Sequence, residues 1–347
     1  MTISIYEPRT MAKALEEMKP ANTFLKRLFF GKTPETSQTE KVDVDVKVGS
    51  RRVAPFVNPK APGKVVDRAG FTTSTHTAPL LSMKRPVTTE DLQTRLPGEH
   101  IYAGTDPNDR AARLVGADLA ELDELITRRE ELMVRDALVS SAIHVLGDDV
   151  DYTITFPRDA SLTLGLLAAG DRWSNGAANI PALIKAWRRA IVKLTGVSPD
   201  TLLLSAEAVD AFLGNTALVA HLNTLRMDLG QIAPELRDSG ATYIGQLAGT
   251  GIDIWSYDEW YVDPATLVET AMIPAKTILL GSTKADTRMR YGAVPVKSGD
   301  SIGLVPAPRV PQSWVDEEPP VRWLKLSSRP LPVPVQNNAF LTAQVIA

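Results

Sequence analysis

The stretch from Asp106 to Gly147 constrains this chain more than any other. Its spacing predicts one helix over 106–147, about 60 Å long at 1.5 Å per residue. Asp106 is placed to cap it, Pro107 occupies the first helical position and Asp109 lies in the first turn. Val115, Leu119, Leu122, Ile126 and Met133 keep helical spacing, and Ala137 follows one turn later. Glu124 with Arg128, and Glu131 with Arg135, are acid-before-base pairs at i,i+4 on the other side. Gly147 supplies a stop. A coiled-coil strand is the competing reading, but the apolar stripe lacks sustained heptads and carries Gly116. A spine with sheet packed along it fits better.

A helix of that length needs a large body around it, and 347 residues suffice for two domains. The net charge of −3 gives no electrostatic argument for a nucleic-acid binder. With no cysteine, disulfides, thiolate metal sites and a cysteine nucleophile are excluded. No apolar run reaches the length of a membrane span, and the N-terminus has no signal-peptide core.

Residues 1–40 do not read as the start of a self-contained core. A short amphipathic piece (Met11 to Met18) precedes Thr23-Phe24-Leu25-Lys26-Arg27-Leu28-Phe29-Phe30, then a polar, turn-rich tract. Two readings stand: a first helix buried in its own core, or an arm whose Phe24, Phe29 and Phe30 dock on a neighbouring subunit. From Lys41 the pattern turns to period two, with Val42, Val44, Val46 and Val48 on one face of a strand. The interval 41–100 holds ten Lys/Arg against six Asp/Glu, a charge of +4. It has too few large apolar residues for a core, and a two-stranded ribbon is marginal alone in water, so it must rest on another surface. The interval 105–147 carries five Arg against nine Asp/Glu, a charge of −4. Two readings stand: both are solvated faces whose opposite signs are accidental, or the Arg51-Arg52 end of the ribbon meets acidic groups of a neighbour, with the spine helix as the leading candidate.

Beyond the spine, Tyr152, Ile154 and Phe156 alternate as a second amphipathic strand. A compact α/β unit follows. Pro181 opens a helix with Leu183, Trp187, Ile191 and Leu194 on one face, Thr201 to Leu204 is a buried strand, and Ser205 caps a helix carrying Val209 and Phe212. Leu218 to Leu225 suits further helix, and Ile252, Ile254, Ser256 and Thr277 to Leu280 suit strands. From Asp286 the chain reads as strand and proline-rich loop, with Trp314 expected to anchor it as a buried aromatic.

Chemistry is hard to find along this chain. His76, His100, His144 and His221 are scattered without metal-ligand spacing. Gly245-Gln246-Leu247-Ala248-Gly249-Thr250-Gly251 leads into a strand and not a helix, which makes it a turn and not a phosphate loop. No GxSxG elbow occurs. Glu130-Glu131 and Glu317-Glu318 read as solvated acids. No catalytic, cofactor-binding or metal-binding residue is assigned, and the chain is not expected to be an enzyme.

Several blocks together resemble the lambda-type phage major capsid proteins (major capsid protein E family). They are Phe24-Leu25-x-Arg27-Leu28-Phe29-Phe30, Thr39-Glu40-Lys41-Val42, Ala54-Pro55-Phe56-Val57-x-Pro59-x-x-x-Gly63 and Arg95-Leu96-Pro97-Gly98-Glu99. Near the end come Arg309-x-Pro311-x-x-Trp314 and Ser328-x-Pro330-x-Pro332. The resemblance implies an α+β chain with the Hong Kong phage 97-like major capsid protein fold. Its parts would be an N-terminal arm (1–40), an extended β-hairpin loop (41–100), a peripheral domain (101–175 and 276–347) holding the spine helix, and an axial domain (176–275). It implies pentamers and hexamers of an icosahedral head around double-stranded DNA held without sequence-specific contact. Scaffolding, portal and decoration proteins are the further partners implied; no membrane and no cofactor are. The location implied is the virion, after assembly in the host cytoplasm. Two alternatives stay open: an encapsulin-like compartment shell, and an α/β enzyme with an unrecognised site.

Overall fold

A computed structural model describes the chain except residues 1–6, 18–22, 48–52, 55, 57–64, 66–70, 89, 92–93, 95–106, 148, 216–217, 219–234, 239, 248, 265, 299–300 and 317–320. The spine helix is there, running Pro107–Val139 over 33 residues, about 50 Å. Val115, Leu119, Leu122, Ile126, Met133 and Ala137 are all buried, so the predicted stripe is its packed face. Asp106 lies outside the described residues.

The helix ends at Val139 and not at Gly147, which corrects the expected 106–147 span. Ser140 and Ser141 break it: the Ser140 hydroxyl bonds the carbonyls of Asp136 and Ala142, and Ser141 adopts φ 56°. Ala142–Gly147 is then a strand paired antiparallel with Val150–Thr155, with Ile143 opposite Ile154 and both buried. Gly147 faces Val150 across a tight turn in which Asp149 has φ 56°. Period alone does not separate strand from helix over so short an apolar run; the alternating partner Tyr152/Ile154 decides it.

Sheet is packed along the rod in three blocks. At its N-terminal half, Val115, Leu119, Leu122 and Ile126 meet Met11 and Leu324 and Leu326. The latter two belong to an antiparallel sheet of Leu81–Val87, Val321–Ser328 and Val310–Asp316. Further along, Met133 and Ala137 meet Val42, Val44, Ala78, Ile143, Ile154, Phe156, Leu331 and Val333. Lys41–Lys47 pairs with Phe71–Thr77, so the base of the ribbon rests on its own chain. Pro330–Pro334 pairs with Thr287–Tyr291 at the edge of a three-stranded sheet. Its prolines at 330, 332 and 334 all turn their missing N–H to one side, which an edge strand tolerates.

The third block is a seven-stranded sheet in the order Thr163–Leu166, Leu341–Gln344, Thr277–Gly281, Thr201–Leu204, Ile252–Tyr257, Ala241–Leu247, Glu235–Asp238. It draws strands from outside 176–275, so the boundaries expected there cut through it. Thr201–Leu204 is fully buried at its centre, as a continuous apolar run predicts. Leu202 and Leu204 face a core with Ile184, Trp187 and Ile191 of the helix Ile180–Thr195. Leu203 faces the opposite core with Leu132, Val134 and Leu138 of the spine. The helix Ile180–Thr195 starts where Asn179 accepts a bond from the Ala182 N–H and stops at Gly196, φ 83°. Ile184 takes the buried place expected of Leu194, which is exposed. Ser205 caps Ala206–Leu213 as its sequence predicts. The turn Gly249-Thr250-Gly251 joins two antiparallel strands, as a turn and not a phosphate loop should.

A buried acidic pair and the candidate assembly surfaces

Glu130 lies on the apolar stripe of the spine, one turn after Ile126 and one before Met133. Both it and Glu131 are buried, at 0% and 2% exposure, which corrects the reading of Glu130-Glu131 as solvated acids. The Glu130 carboxylate takes Lys26 Nζ at 2.6 Å, the Arg309 guanidinium, and the Tyr291 hydroxyl at 3.2 Å. Glu131 accepts the backbone N–H groups of Leu25 at 2.6 Å and Lys26 at 3.0 Å, with the Tyr257 hydroxyl at 3.3 Å. The short helix Phe24–Phe29 has no side-chain cap from Thr23. Glu131 therefore supplies from the spine the acceptor that the first N–H groups of a helix lack.

Arg309 reaches three positions on successive turns of the spine: Nε to Asp123, Nη2 to Thr127 Oγ1 at 3.1 Å, Nη1 to Glu130. One guanidinium thus ties the C-terminal strand block to the rod in the fork geometry that arginine provides. Burial pushes the Glu130 carboxyl up, but the charges of Arg309 and Lys26 and the bonds they donate outweigh it and hold it below the usual carboxylate range. Burial raises Glu131 above that range, because the backbone N–H bonds offset only part of the desolvation. Arg135 is not the partner of Glu131; it lies against Tyr261 instead. Glu124 and Arg128 do pair, at 2.6 Å on the exposed side.

The same clamp seats Phe24, Phe29 and Phe30, which are 5%, 3% and 2% exposed. Phe24 packs on Tyr257 and Trp255 with centroids at 5.2 and 5.3 Å, and Phe29 meets Phe340 edge-on at 5.3 Å. Their expected docking on a neighbour is corrected: the chain supplies its own slot. Gly281 keeps that slot open, since a Cβ there would fall 2.6 Å from the Phe340 ring. The signal was on hand in the Glu130 position, an acid inside an apolar stripe that needs a buried partner.

Arg51 and Arg52 lie outside the described residues. A cation from the same interval, Arg85, bridges Asp118 at 2.8 Å and Glu121 at 2.7 Å on the spine of its own chain. The opposite charges of the two intervals thus meet within one subunit at that point. Trp314 is 38% exposed and faces Trp323 across the strand pair, which corrects its expected role as a buried anchor. A cross-strand pair contributes about 0.2–1 kcal/mol. Trp314→Ala is therefore expected to lower stability by no more than about 1 kcal/mol. A thermal melt of the subunit checks this; a loss of several times that size would restore the anchor reading.

His76 lies over Phe156 and His144 bridges Asp151 at the surface, while His100 and His221 are outside the described residues. Among the described residues no cluster of three metal-ligating side chains occurs, and no helix is long and apolar enough to cross a membrane. The described surface does carry unfinished apolar ribbons. Val294–Ser298 and Ser301–Val305 form a hairpin whose Ile302 and Leu304 are 82% and 56% exposed. Trp260–Val262 and Glu269–Ala271 form another, exposing Trp260, Val262, Leu267 and Val268.

A centre clamped by buried ion pairs, with two-stranded ribbons that leave apolar side chains exposed, has the features of a structural subunit with surfaces left to cover. The family model described as phage major capsid protein E matches residues 7–345, and the chain belongs to that family. The major capsid protein of Escherichia phage lambda is 23% identical over 350 residues, covering 99% of this chain and 100% of that protein. A crystal structure from Escherichia coli CFT073, described as a prophage capsid protein, superposes with a TM-score of 0.70 at 18% identity, covering 98% of this chain and 99% of that one. A phage-related protein from Bordetella bronchiseptica RB50 gives 0.56 at 14% identity, covering 98% and 96%. The fold is the α+β, Hong Kong phage 97-like capsid fold.

Proposed function

We propose that this chain builds the pentamers and hexamers of a closed icosahedral head enclosing double-stranded DNA. The observation that carries the reading is the match of the capsid family over nearly the whole chain. The exposed ribbons support it, because two-stranded ribbons with outward apolar faces gain stability only against a partner. The unit around the seven-stranded sheet sits towards the capsomer centre as an axial domain. The spine and the strands of 287–334 form the peripheral domain, and the loop within 41–100 reaches over an adjoining subunit, where Arg51 and Arg52 would meet acidic groups. The subunit performs no catalysis; its work is burial of surface repeated by symmetry. Scaffolding, portal and decoration proteins are its further partners, the host cytoplasm the place of assembly, and the virion its destination. Sedimentation of the expressed full chain tests this. Fast-sedimenting particles are expected; a species limited to a small soluble oligomer would refute the shell.

A further inference from the structure

The helix Ile180–Thr195 carries Lys185, Arg188, Arg189 and Lys193 and no acid. Lys185, Arg189 and Lys193 are exposed at i,i+4,i+8, on one side of the helix, beside exposed Ala186 and Leu194. Arg188 donates to Ser198 Oγ at 3.0 Å. Together with Ser198, Gly249 and Thr250 the four cations line an open cleft of about 650 Å³. None of the four forms an ion pair among the described residues.

The complement lies on the same unit. Between Arg237 and Lys276 the chain has no cation, and Asp258, Glu259, Asp263 and Glu269 fall on or beside the hairpin of Trp260–Val262 and Glu269–Ala271. In that hairpin Trp260, Val262 and Glu269 share one outward face, while Tyr261 turns inward to the core beneath. Trp260 is 54% and Val262 55% exposed. The two patches lie on opposite sides of the seven-stranded sheet. The basic helix packs on the face of Leu202 and Leu204, whereas the acidic hairpin belongs to the face of Leu203 and Leu279. Patches so placed do not meet within one chain. A two-fold contact of either patch with its own copy would oppose like charges. Head-to-tail contact, patch to complementary patch, is the arrangement that makes a ring when its rotation closes.

We propose that the Lys185, Arg188, Arg189 and Lys193 face of one subunit docks on the Asp258–Glu269 hairpin of the next copy of this chain, with Trp260 and Val262 as the apolar centre of the contact. The inference rests on the shell reading above. It names the surface that joins neighbours within a capsomer.

The test uses the full chain and follows shell formation by light scattering over a salt series. Lys185→Glu with Arg189→Glu, and separately Asp258→Lys with Glu269→Lys, are each expected to slow assembly about tenfold at low salt, since complementary charge acts chiefly on association. High salt is expected to narrow the difference. All four changes together are expected to recover most of the parent rate. If a reversed variant does not fold, Lys185→Gln with Arg189→Gln keeps the helix propensity and is expected to slow assembly less. Parent rates for both reversals, or a combination no faster than either alone, would overturn the proposal. So would assembly at the parent rate with loss of nuclease-protected DNA on reversing the helix, which would assign the cations to nucleic-acid phosphates instead. A parent chain that forms no shells would refute the shell reading itself; shells that ignore these substitutions would refute only the interface.

Discussion

Arg309→Met is expected to lower the stability of the subunit by about 3–5 kcal/mol, the usual cost of removing one partner from a buried ion pair. The substitution leaves Glu130 buried with Lys26 and Tyr291 alone and strips Asp123 and Thr127 of their partner. Its effect should depend on pH. Glu130 is held below the ordinary carboxylate value of 4.5 by the cations around it. The stability it contributes is therefore present above pH 4.5 and is lost as pH falls through the folded value. The parent should lose stability in that acidic window, and the gap between parent and variant should close there. Glu131 works in the opposite sense: its value is raised, so the stability linked to its protonation is present below 4.5 and is lost as pH rises through the folded value. Melting temperatures of both proteins from pH 3 to 7 check the account. A gap of unchanged size throughout would show that the Arg309–Glu130 pair is not the source of the loss.

Removal of residues 1–30 is expected to abolish the folded subunit altogether. Met11, Phe24, Leu25, Phe29 and Phe30 are all buried against the chain that would remain. Losing a buried aromatic costs about 3–5 kcal/mol, and several such losses exceed the roughly 5–15 kcal/mol that a domain commonly has. The truncation also leaves the Glu131 carboxylate without the Leu25 and Lys26 N–H groups and uncovers Phe340. An arm that merely docks on a neighbour predicts something else: a soluble, stable subunit that fails only to assemble. Soluble yield and near-ultraviolet circular dichroism of the truncated chain separate the two. A well-folded product melting near the parent temperature would return the segment to the arm reading.

Much of the architecture was legible where local pattern and tertiary demand agree. The stripe from Val115 to Ala137, the Val42/Val44 alternation, the run Thr201–Leu204 and the Ser205 cap all became the elements they predict. Legibility failed where a distant segment decides. Residues 142–147 continue a helical pattern until Tyr152 and Ile154 offer a strand partner. Phe24, Phe29 and Phe30 look unpartnered until Trp255 and Tyr257 arrive from the seven-stranded sheet and Phe340 from the far end of the chain. Trp314, in the closing proline-rich segment, reads as a buried aromatic, yet an edge pairing with Trp323 leaves it partly in solvent. Adjacent acids such as Glu130-Glu131 read as a solvated face, although the position of Glu130 within the stripe demands a cation, and Arg309 lies well beyond any local window. The capsid blocks are informative because their order spans the chain, while the described surfaces proposed to join subunits carry only scattered charge and apolar signals.

The central claim, that this chain is the self-assembling subunit of a closed head, is tested most directly by cryo-electron microscopy of the purified full-length protein. The account predicts closed icosahedral shells in which pentamers and hexamers share one subunit fold, with the Phe24–Phe29 helix lying on the spine of its own chain. A uniform population of small soluble oligomers, with no closed shells under any salt condition that keeps the protein folded, would contradict it.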